Sequence, residues 1–67
     1  MSDTETLRSE IKKLSAKAMQ AKMDLHDLSE ELPLGVEAVM EIAVRVRDSY
    51  AALDAKRAEL KALEATS

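Results

Sequence analysis

Cysteine, tryptophan and phenylalanine are all missing from this 67-residue chain. Without cysteine there is no disulfide scaffold, no thiol nucleophile and no cysteine-held zinc or iron–sulfur cluster. Tyr50 is the one aromatic residue, so the stacking platforms that grip single-stranded nucleic acid are lacking as well. No apolar run approaches the roughly 18 residues of a membrane span. Positive charge is in deficit: the net charge is −3, which argues against a general nucleic-acid binder. The opening Met1-Ser2-Asp3-Thr4-Glu5 is polar and acidic, unlike a secretory or organellar targeting segment, so a cytoplasmic location is expected.

Glycine and proline occur once each, while hydrophobic residues make up 46% of the chain. That balance, rich in Ala, Leu, Glu and Lys, is the composition of long helices and coiled coils. So short a chain buries little apolar area. An enclosed pocket is therefore not expected, and neither is an enzyme.

One spacing runs through the first half. Leu7, Ile11, Leu14, Ala18, Ala21, Leu25, Leu28 and Leu32 are separated by alternating steps of four and three. This heptad seam predicts a first helix from about Thr4 to Glu31. Ser2 to Glu5 offers a capping box, with Asp3 and Thr4 as rival N-caps. Pro33 disfavours helical geometry at Leu32 and should close the helix there. The turn, about 32–35, is short, which favours antiparallel neighbours. Val36, Val39, Ala43, Val46, Tyr50, Leu53, Arg57 and Leu60 then resume the alternation, predicting a second helix over about 36–63. Only Arg57 breaks the apolar rule, near the open end, where its head reaches water. A rival reading is a strand through 41–47, which alternates and is β-branched but has no partner strand. The expected fold is all-α: one antiparallel two-helix hairpin, coiled-coil-like, spanning 1–67. Folding about Pro33 sets Leu28 against Val39 and Ala43, Ala21 against Val46, Ala18 against Tyr50, Leu14 against Leu53 and Leu7 against Leu60.

A second line of residues lies off the seam. Ala16, Met19, Met23, His26 and Glu30 share one face of the first helix. On the second helix Val36, Met40, Val44 and Ala51 follow one flank and Ile42 lies on the other. Two helices packing only on each other do not need this much apolar surface. It is either partly covered within the hairpin or a docking face, because methionine adapts to varied partners. One candidate occupant is a second copy, a homodimer forming a four-helix bundle; another is a different protein. Charge is segregated too. Five bases and one acid lie between Arg8 and Lys22, then six acids and no Lys or Arg between Asp24 and Glu41. Asp27, Glu30 and Glu31 sit where the dipole of the first helix disfavours acids. A local rule broken without structural gain points to functional surface.

His26, with Asp27 and Glu30 beside it, has spacing suited to a weak divalent-metal contact. Nothing supplies a second shell, so a surface histidine paired with Glu30 is the plainer reading, and neither a metal site nor a cofactor is expected. An RNA-binding reading rests on Arg8, Lys12, Lys13 and Lys17 and lacks aromatic platforms.

The segment Lys22-Met23-Asp24-Leu25-His26-Asp27-Leu28-Ser29-Glu30-Glu31-Leu32-Pro33 resembles the signature of a small Rop-like family whose genes accompany nitrogen-fixation genes. The likeness covers roughly Leu7 to Leu60. It implies a cytosolic helical hairpin that works with nitrogenase or with the machinery assembling its metal clusters. It transfers no catalytic residue. The resulting expectation is a non-catalytic accessory that binds the nitrogenase molybdenum–iron protein or cluster-assembly proteins, with neither nucleic acid nor membrane as partner. The expected docking surface is Met19, Met23, His26, Asp27, Glu30 and Glu31 on the first helix, joined by Met40 from the second.

Overall fold

A computed structural model of the chain describes residues 3–66. Helix α1 spans Asp3–Glu31 and helix α2 spans Val39–Thr66, with a single 3₁₀ turn over Val36–Ala38 between them. The two helices pack side by side along an elongated body of 51 × 16 × 13 Å. Among the described residues there is no strand, so the β-branched run at 41–47 is helical. An isolated strand would leave its backbone groups unpaired, whereas α2 satisfies them internally.

Helix α1 contains neither Gly nor Pro, and Asp3 and Glu5 in its first turn complement the dipole. Asp3 and Thr4, the rival N-caps, are both already helical, and Ser2, the first residue of the expected capping box, lies outside the described residues. At the other end Leu32 donates its N–H to the Leu28 carbonyl and Leu34 donates to Glu31, so two otherwise orphaned carbonyls are satisfied. Pro33 follows Leu32 through a cis peptide bond. Gly35 then takes φ 77°, a left-handed conformation that glycine adopts without steric cost. Its carbonyl accepts from Ala38 and that of Pro33 from Val36, which winds 36–38 into a 3₁₀ turn where continuous α-helix was expected.

The core is a single narrow seam. Leu7, Ala18, Ala21 and Leu28 of α1 are buried, as is Leu53 of α2, which is only 2% exposed. Ile11, Leu14 and Leu25 are half-buried, as are Val39, Ala43, Val46 and Tyr50 opposite. The small residues Ala18 and Ala21 let bulkier ones on α2 approach. Cross-helix ion pairs join Arg8 to Glu64, Glu10 to Lys56 and Asp24 to Arg45. They climb α1 while descending α2, in keeping with the antiparallel register expected from the seam.

Two seam expectations fail at its turn end. Leu32 and Val36 are exposed, at 43% and 59%, because the turn carries both past the end of the helix–helix contact. The seam therefore ends at Leu28, which closes it against Gly35: a Cβ added there would lie 3.0 Å from the Leu28 Cδ1. Ile42, expected on a free flank, is half-buried.

Candidate functional site

Seven residues were expected to form one surface at the turn-proximal half, and all seven are exposed. Met19 and Met23 are each 54% exposed and Met40 is 73% exposed. These values are high for large apolar side chains in so small a protein. With Ala16, His26 and Glu30, the two α1 methionines line the outer face of that helix at steps of three and four. By the same helical spacing, Asp27 and Glu31 turn toward the flank that carries Asp24, whereas Met40 lies on the opposite flank, on α2. The surface thus wraps around the tip rather than forming one flat patch.

His26 is held by its own helix. Its Nε2 lies 3.3 Å from a Glu30 carboxylate oxygen and its Nδ1 3.8 Å from Asp27. Ser29 donates its hydroxyl to the His26 carbonyl at 2.7 Å. All of these side chains are exposed. Among the described residues no group of three or more His, Asp or Glu is arranged to hold a metal ion.

The acidic run is less uniform than its sequence suggests. Asp24 accepts hydrogen bonds from Arg45 across the hairpin and from Gln20 one turn earlier. The Arg45 guanidinium, and after it Gln20, holds the Asp24 carboxyl below its ordinary value of 3.8. Asp24 is therefore spent on the fold. Glu31, Glu37 and Glu41 carry no ion pair among the described residues, so the negative potential of the tip rests on them and on Glu30 and Asp27. No base lies in the last turn of α1; acids there oppose the dipole by roughly 0.3–1 kcal/mol each.

Sequence reasoning passed over Leu34. It is 75% exposed, and with Leu32 and Val36 it adds an apolar tip to the acidic end. Its position between Pro33 and Gly35 was the available signal, since a large aliphatic residue in a tight turn has no neighbour to cover it.

The open end differs. Lys56 joins Glu10 at 3.0 Å and Glu59 at 3.5 Å, and the hydrogen bond to Glu10 raises its ammonium above the ordinary 10.5. A solvent-open cleft of about 580 Å³ lies between the helix ends, with Leu7 and Leu63 on its floor. No described helix is long and apolar enough to cross a membrane.

Comparison with known proteins places these features in a family. The Rop-like family model matches residues 2–65. A protein described as a UPF0437 protein from Azorhizobium caulinodans is 52% identical over 97% of this chain and 94% of its own length. A second UPF0437 protein, from Nostoc, is 45% identical over 90% of this chain and 84% of its own. A third, from Frankia alni, is described as a UPF0437 protein in the nifX-nifW intergenic region; it is 43% identical over 73% of this chain and 60% of its own length. No solved structure matches significantly. A two-helix hairpin matched from residue 2 to residue 65, with relatives that include one from a nitrogen-fixation gene region, belongs to the Rop-like family.

Proposed function

We propose that the chain is a non-catalytic accessory protein that docks on a nitrogenase component, first of all the molybdenum–iron protein, or on the machinery assembling its clusters. Docking shields or stabilises an incompletely assembled or intermediate state of that partner. The observation that carries this reading is the outer face of α1, where Met19 and Met23 stand exposed on one line with His26 and Glu30. The hairpin's own packing makes no use of that face, and the Lys22–Pro33 segment runs through it. The Frankia relative's place between nifX and nifW supplies the nitrogen-fixation setting.

The chemistry of the face suits this role. Methionines form an adaptable apolar centre, and acids around them orient the rod against basic groups. The exposed apolar tip of Leu32, Leu34 and Val36 extends the same end. The test is affinity capture of the tagged full chain from nitrogen-fixing cells, under both resting and turnover conditions. Recovery of the molybdenum–iron protein or of a cluster-assembly protein is expected. Recovery of neither under both conditions refutes the reading.

A further inference from the structure

Three of the chain's four methionines, Met19, Met23 and Met40, lie among the described residues, and all three are more than half exposed. None belongs to the buried core, which is built from leucine and alanine alone. The chain has no cysteine, so no thiol competes for a two-electron oxidant, and the exposed thioethers are what it meets first. Met19 and Met23 stand four residues apart, which stacks them on one face of α1.

We propose that Met19 and Met23 form a reversible oxidation site, where sulfoxide formation releases the docked partner and leaves the hairpin folded. The release rests on the docking reading above; oxidation without unfolding does not. Hydrogen peroxide gives one oxygen atom to each sulfur. Its O–O bond breaks, an S–O bond forms, sulfur loses two electrons and the peroxide leaves as water. The reverse step needs a dithiol from outside the chain, which takes the oxygen back as water and itself becomes a disulfide. Each sulfoxide sulfur is chiral, so full return requires a reductase for each epimer.

Oxidation turns a flexible apolar side chain into a polar hydrogen-bond acceptor. At Met23 that acceptor has little to pair with. The side chains three and four residues away are Gln20, Met19, His26 and Asp27. Gln20 gives an amide hydrogen to Asp24, and the ring nitrogens of His26 lie beside Glu30 and Asp27. A carboxylate only accepts, so Asp27 offers the new oxygen nothing. Met19 has Ser15 and Lys22 at the same steps, so its oxygen finds a donor more easily. Met23 is therefore the stronger member of the pair. In the free chain both oxygens face water, at little cost to the fold. Pressed against a partner's apolar surface, an acceptor without a donor weakens association by about tenfold or more.

The test treats the tagged full chain with hydrogen peroxide and follows each methionine by peptide mass spectrometry. Met19 and Met23 should oxidise as readily as free methionine, with helicity kept and Tm moved by less than about 4 °C. In the capture assay above, the untreated chain should recover its nitrogenase or cluster-assembly partner. The oxidised chain should bind that partner at least about tenfold more weakly, and the two methionine sulfoxide reductases with a dithiol should restore binding. The double variant Met19→Leu with Met23→Leu keeps the apolar volume and removes the sulfurs. It should bind like the parent and stay within about threefold after peroxide, although Met40 still oxidises. Singly, Met23→Leu should protect more than Met19→Leu.

An oxidised parent that binds within about threefold of the untreated chain, or a double variant that loses as much as the parent, overturns the inference and leaves the docking reading standing. A Tm fall beyond about 4 °C overturns it too, because oxidation would then damage the fold. So does failure of the reductases to restore binding. An untreated chain that captures no such partner refutes the docking reading itself, and the proposed release with it.

Discussion

Leu53→Ala tests whether one seam really carries this fold. Leu53 is the largest fully buried side chain, at 2% exposure. Replacing a buried leucine by alanine costs about 2–5 kcal/mol, and more when the surroundings cannot relax. In a body two helices wide the neighbours can close in from the grooves, so the lower part of that range applies, about 2–3 kcal/mol. At roughly 0.05–0.15 kcal/mol per residue, a chain of this length has only about 3–10 kcal/mol of stability to lose. For small domains each 1 kcal/mol lowers Tm by about 4–8 °C, which gives a fall of about 10–20 °C. Leu34→Ala is the matched control: the same chemistry at a residue 75% exposed, with an expected change within about 0.5 kcal/mol. The assay is thermal and urea unfolding followed by circular dichroism, at one fixed protein concentration. A Tm fall below about 3 °C for Leu53→Ala, or equal falls for the two variants, would refute the single-seam account.

Gly35→Ala should destabilise by about 1 kcal/mol, because the left-handed cost of about 1–2 kcal/mol outweighs the entropy removed from the unfolded chain; the new Cβ also meets the Leu28 side chain at 3.0 Å. Urea midpoints measure it, and an unchanged midpoint would contradict the turn geometry. Asp24→Asn should lower stability at neutral pH. The folded carboxyl is held below 3.8 by Arg45 first and Gln20 second, so its contribution is present above that value and fades as pH falls through the lower folded one. The gap between parent and variant should therefore close in acid, and a gap that persists there would show that Asp24 acts otherwise. For docking, Met23→Asp should abolish capture of the nitrogenase partner while helicity stays unchanged. Charge reversal at Glu30 and Glu31 should mainly slow association and weaken its salt dependence, whereas reversal at Lys12, Lys13 and Lys61 should have little effect. Equal losses from both ends in one binding assay would mean that the whole rod lies on its partner.

The hairpin itself was legible in the sequence because its causes are local and periodic. Alternating steps of four and three from Leu7 to Leu28 place one apolar line on a helix, and Pro33 with Gly35 can only turn the chain. The exposed stripe of Met19, Met23, His26 and Glu30 was readable for the same reason, since residues left over from one seam must face elsewhere. Tertiary structure decided what periodicity cannot count. Leu32 and Val36 continue the spacing yet are exposed, because burial requires a facing residue and the turn removes it. Asp24 reads as one acid among six until Arg45, 21 positions later, arrives beside it. The two flanks of α2 are unequal for the same reason. Arg45 and Arg47 are two residues apart in one helix, but only Arg45 points toward a carboxylate on α1, while Arg47 bonds its neighbour Asp48. Spacing determines which residues share a face; only the packed partner determines which of those faces are already occupied.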